Sequence, residues 1–144
     1  MARDDATTDD PGAAVADDET IGMWFRVHPG YWDPPAPPST ANFLLRPNPP
    51  EALLSVWRMG GVTEAELRAR FGLGEDVLVV FRTARQVREL AGGNKATLGL
   101  DVVPDPDHGG PAHAGILDTN GRPGVQRQSV KKALKRLFCD PWPP

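Results

Sequence analysis

Cysteine is almost absent. Cys139 stands alone in 144 residues, so no internal disulfide can form and nothing calls for an oxidising compartment. Long apolar runs are missing as well. No stretch approaches the ~18 apolar residues of a spanning helix, and the N-terminus lacks the basic-then-apolar run of a signal peptide. These absences predict a soluble, cytoplasmic protein. There is no glycine-rich phosphate loop, no Gly-x-Ser-x-Gly elbow and no Cys/His nucleophile pair. The residues therefore call for no cofactor and leave open whether the chain is an enzyme.

Proline and glycine, by contrast, are plentiful at 16 and 15, which predicts many turns and long irregular connections. Arginine outnumbers lysine twelve to four, the bias of a high-GC bacterial genome. The net charge of -3 conceals an asymmetry. Residues 1–20 hold seven carboxylates against Arg3, whereas residues 121–144 hold six cations against Asp140. An acidic head and a basic tail can screen each other or address two partners. The head contains one sizeable aliphatic side chain, Val15, too little apolar surface to offset the entropy of ordering. Residues 1–20 are thus expected to be disordered, with a compact domain over 21–118 and a linker plus helix over 119–144.

Within the domain, Met23 to His28 alternates as a strand should, and Pro29-Gly30 ends it. Eight prolines between 29 and 50 predict an extended loop, with a short strand at Asn42 to Arg46 between the proline blocks. Leu53 to Trp57 reads as a strand. Thr63 with Glu66 forms a capping box for a helix that stops at Gly72. Val77 to Phe81 is an unbroken apolar run, expected to be central and covered on both faces. Thr83 caps a second helix through Leu90, and strands follow at Leu98 to Val103 and His113 to Leu117. The pattern predicts an α+β fold, a small mixed sheet with two helices on one face, plus a C-terminal amphipathic helix.

Four residue groups carry candidate chemistry. Arg26 and His28 share a strand face with Trp24, an aromatic, a cation and an imidazole in a row that suits an anionic or nucleotide-like ligand. An edge-strand ion pair has the same signature. Asp105, Asp107, His108 and His113 are the right ligand types for a divalent metal, although their spacing matches no established motif and is also ordinary turn chemistry. Trp24, Phe25, Tyr31, Trp32 and Phe43 make up half the chain's aromatics, which suits base stacking by nucleic acid or plain core packing. In the tail, Val130, Ala133, Leu134, Leu137 and Phe138 form one helical stripe, with Lys131, Lys132, Lys135 and Arg136 opposite and Ser129 as cap. Such a helix can dock Leu134 and Phe138 into a protein partner with its cations around them, lie on an anionic membrane, track phosphates, or close its own domain's core.

From Trp24 to Asp118 the chain resembles a family of small uncharacterised bacterial proteins. The residues that carry the resemblance are Phe25-Arg26-Val27-His28-Pro29, Ser39 to Phe43, Leu54-Ser55-Val56, Pro104-Asp105-Pro106 and His113-Ala114-Gly115-Ile116. It departs from the family's pattern in a tighter Arg26-Val27-His28 and in Trp57 where an acid is usual. The resemblance implies the domain boundaries and an accessory role in a defence, toxin–antitoxin or mobile-element setting, and it implies no activity. Three functions follow as expectations. The first is a non-enzymatic interaction protein with a protein partner on the C-terminal helix. The second is an ADP-ribosyl-transfer enzyme built on Arg26 or His28 with Ser39 or Thr40, against which stands the absence of any glutamate after Glu89. The third is a metal-dependent enzyme using the 105–113 loop.

Overall fold

The computed structural model describes residues 12–26, 53–60, 62–92, 95–121 and 127–138. The expected strand at 42–46, the proline-rich loop, His28, Tyr31, Trp32 and Phe43 lie outside them, as do residues 1–11. The fold is α+β: a five-stranded sheet with three helices. The strands are β1 Thr20–Arg26, β2 Leu53–Arg58, β3 Val77–Thr83, β4 Leu100–Pro104 and β5 His113–Asp118. The helices are α1 Glu64–Phe71, α2 Ala84–Arg88 and α3 Gln128–Leu137. A 3-10 turn at Pro106–His108 joins β4 to β5.

Strand order is β3-β1-β2-β5-β4, and every neighbouring pair is antiparallel, so the sheet is not mixed as expected. Among the described strands the apolar run of β3 lies at an edge and not at the centre. Its hydropathy is explained by cover on both faces, since Val77, Val79 and Val80 are all buried. Hydropathy reports burial, and a strand's place in the order leaves no mark on it.

Alternation along each strand divides two cores. Ile21, Met23 and Phe25 of β1 join Val56, Val80, Val102 and Ile116 on one face, under Ala84 and Val87 of α2 and Val130, Ala133, Leu134 and Phe138 at α3. The opposite face carries Trp24, Trp57 and Ala112 under Leu67 of α1. The helices therefore lie on both faces. α1 opens with the expected capping box between Thr63 and Glu66, and closes on Gly72 at φ 62, the left-handed conformation that favours glycine. α2 carries the same device through Thr83 and Gln86.

The expected boundary at residue 21 is corrected. Residues 12–20 belong to the domain: Val15 is 3% exposed and sits in the larger core. The Glu19 and Asp17 carbonyls accept from the Ala84 and Arg85 amides at 3.0 and 2.9 Å, taking up donors that the first turn of α2 leaves free. Glu19 also neutralises Arg58, described below.

α3 closes the core. Leu134 and Phe138 are fully buried, with the Phe138 ring 6.1 Å from that of Phe25. The expectation that these two residues dock into a partner is thereby corrected, because their apolar face is already spent on the sheet. Arg127 and not Ser129 occupies the N-cap, without a side-chain cap bond. At the other end the buried Arg82 donates to the Leu137 carbonyl at 2.8 Å, a cation at a helix C-terminus, with its guanidinium 6.0 Å from the Phe138 ring centre.

Candidate functional site

The sheet face under α1 gathers most of the candidate residues. Trp24 stacks on Trp57 with ring centroids 5.6 Å apart, and Phe71 of α1 tilts against both, at 5.2 and 4.8 Å. Antiparallel register sets Trp57 directly opposite His113, whose imidazole meets the indole edge-on at 4.8 Å. Trp24, Trp57 and His113 thus form a row across three adjacent strands. Over it lies the Arg70 guanidinium, 5.9 Å from the Trp57 ring and 5.1 Å from the Phe71 ring, in cation–π range. Arg26 ends β1 exposed, on the same strand face as Trp24. The expected ligand row of Trp24, Arg26 and His28 is therefore only partly placed: Trp24 is packed into the aromatic cluster, and His28 lies outside the described residues.

The 105–113 segment is a hydrogen-bonded turn and not a ligand cage. Asp105 Oδ1 lies 2.6 Å from His108 Nδ1, while its Oδ2 lies 3.3 Å from His113 Nδ1. The Asp105 carbonyl accepts from His113 Nδ1 at 2.9 Å. A carbonyl can only accept, so His113 carries a proton on Nδ1. Both imidazoles thus turn the same nitrogen to one carboxylate. Asp107 joins neither contact. Among the described residues no group of three or more His, Cys, Asp or Glu side chains is arranged to hold a metal ion, which corrects the expected set Asp105, Asp107, His108 and His113.

The turn is joined to α1. Arg70 Nη2 donates to the Gly109 carbonyl at 3.0 Å. Gly109 lies flat on the buried His113 ring, where an added Cβ would sit 2.6 Å from Cγ. His108 itself is exposed. Its hydrogen bond to Asp105 raises its pKa above the ordinary 6.5, with the Asp105 and Asp107 charges adding to the effect.

α3 presents its cations outward. Lys132 and Arg136 are exposed, and Lys131 and Lys135 half-buried. Arg136 donates to the Ala91 carbonyl at 3.2 Å. Sequence reasoning missed Arg58, Arg70 and Arg82, since a lone arginine on an amphipathic element reads as solvated. It also missed the Trp57–His113 contact, which only strand register creates.

No family model, no curated protein and no solved structure matches the chain. Among the described residues no helix is long and apolar enough to cross a membrane.

Proposed function

We propose that the protein is a non-enzymatic interaction domain that offers the outer face of α3 to an acidic surface on a partner protein, in the accessory setting the motif resemblance implies. One contrast carries this reading. Arg58, Arg68, Arg88 and Arg127 each pair with a carboxylate, to Glu19, Glu64, Asp101 and Asp118 respectively. Lys131, Lys132 and Lys135 pair with none among the described residues. The helix contains no acid, and Lys131/Lys135 and Lys132/Arg136 are like-charge pairs at i, i+4, a spacing that costs helix stability. The dipole offsets this only for Lys135 and Arg136 in the last turn. A partner's carboxylates would relieve it along the whole row.

A polyanion such as duplex DNA fits less well. Its binding proteins typically neutralise about 6–10 phosphates, and this face supplies fewer cations on a chain of net charge -3.

The test is crosslinking in the host cell from a photoreactive residue at Gln128, beside the cations. A single acidic protein should be captured. Its purified form should bind about tenfold more weakly to a Lys132→Glu, Lys135→Glu double variant, and more weakly as salt rises. Capture of nucleic acid, or binding indifferent to both changes, overturns the reading.

A further inference from the structure

Glu66 and Arg70 stand at i, i+4 on α1, the spacing at which Glu64 and Arg68 pair at 2.9 Å on the same helix. Among the described residues Glu66 and Arg70 form no such pair. The Arg70 guanidinium is drawn instead over the Trp57 and Phe71 rings and onto the Gly109 carbonyl. Only its Nη2 is engaged there, so Nε and Nη1 keep their N–H donors. Glu66 accepts the Thr63 amide at 3.0 Å through Oε1 and keeps Oε2.

These two opposite charges line one solvent-open cavity of about 540 Å³ between α1 and the turn before β5, in which Glu66, Ala69, Arg70 and Pro111 are exposed. Its remaining walls are Val62, Ala69, Pro111 and Ala112, all apolar. The volume falls within the range of small-molecule sites, ~300–1,000 Å³, and the lining is the usual one of apolar walls with a few placed polar groups. A guanidinium held over aromatic rings and tethered to a backbone carbonyl, with N–H donors left over, is preorganised for a carboxylate. A carboxylate with a free oxygen suits an ammonium.

We propose that this cavity binds zwitterions of the α-amino acid or short-peptide class: the ligand's carboxylate on Arg70, its ammonium on Glu66 and an apolar side chain against Val62, Ala69, Pro111 and Ala112. The site lies on the sheet face opposite α3, so it stands independently of the partner surface above.

Titration of the full chain with leucine and with leucyl-leucine, followed by backbone amide NMR, tests it. Saturable changes are expected at Ala69, Arg70 and Ala112, and the tighter of the two probes identifies the source, free amino acid or peptide. N-acetyl-leucine and leucine amide, each lacking one charge, should bind about tenfold or more weakly, the loss of one charge-assisted contact. Arg70→Gln should do the same. Because that change also removes the Gly109 tether, Ala69→Phe provides a second variant, filling the cavity without touching a charge and abolishing binding. Glu66→Gln keeps an amide oxygen for the Thr63 amide and should weaken only the ligands that carry an ammonium. No saturable change with either probe at millimolar concentration, equal binding of the single-charge analogues, or binding undisturbed by Ala69→Phe overturns the proposal.

Discussion

Arg58 and Glu19 form a bidentate ion pair inside the domain, with Nε to Oε2 at 2.7 Å and Nη2 to Oε1 at 2.8 Å. The arginine is 1% exposed, and its remaining donors reach the Ala13 and Ala14 carbonyls at 2.8 and 3.4 Å. The last strand position of β2 thereby depends on a segment 39 residues earlier in the chain.

Removing the acid leaves a buried guanidinium without its counter-charge. Glu19→Ala should therefore destabilise the fold by roughly 3–5 kcal/mol, read from the urea midpoint. Deleting residues 12–19 should cost at least as much, because Val15 leaves the core with them. A melt unchanged by either would show that the segment does not pack as described.

The buried stripe of α3 makes an opposite pair of predictions. Leu134→Asp places an unpaired carboxylate where the native side chain is 0% exposed, and should lower stability by several kcal/mol, on the order of the largest single-site effects. Lys132→Glu on the outer face should stay within about 0.5 kcal/mol, as surface changes do. Thermal melts of the two variants side by side check that the helix closes its own domain.

Gly109→Ala asks whether the turn is tightly packed. Its φ is -169, extended backbone open to any residue, so no conformational strain is expected. The added methyl would instead meet Cγ, Cδ2 and Cβ of His113 at 2.6–2.9 Å. Because the ring is wedged against Trp57, the loss should be about 1–3 kcal/mol, and the Arg70 contact to the Gly109 carbonyl should weaken with it. Near-ultraviolet circular dichroism of the Trp57 environment reports the second effect.

His108 supplies the pH dependence. Its pKa is raised in the folded state by Asp105, so the protonated imidazole strengthens the turn. That contribution is complete below the unfolded value near 6.5 and disappears as pH rises through the higher folded value. An NMR titration should place the His108 midpoint above 6.5, and Asp105→Asn should bring it back. A midpoint unmoved by that change would remove Asp105 as the cause.

Local pattern by itself determined the elements. The capping boxes at Thr63 and Thr83, the stop at Gly72 and the period-2 and 3.6-residue spacings gave both helices, most strand positions and the apolar stripe of α3, because each depends on residues within a turn of one another. What the pieces meet was decided by tertiary structure alone. The stripe of α3 fits a partner's groove as well as its own sheet, and the core it meets there, Phe25 and Arg82 among its neighbours, selects the sheet. Composition marked residues 12–20 as too polar to order, yet one valine and one carboxylate suffice there, because a buried Arg58 waits for them across the chain. The aromatic row and the cavity beside Arg70 arise where β1, β2, β5 and α1 converge. Such contacts join residues dozens of positions apart, and no period in the sequence records them.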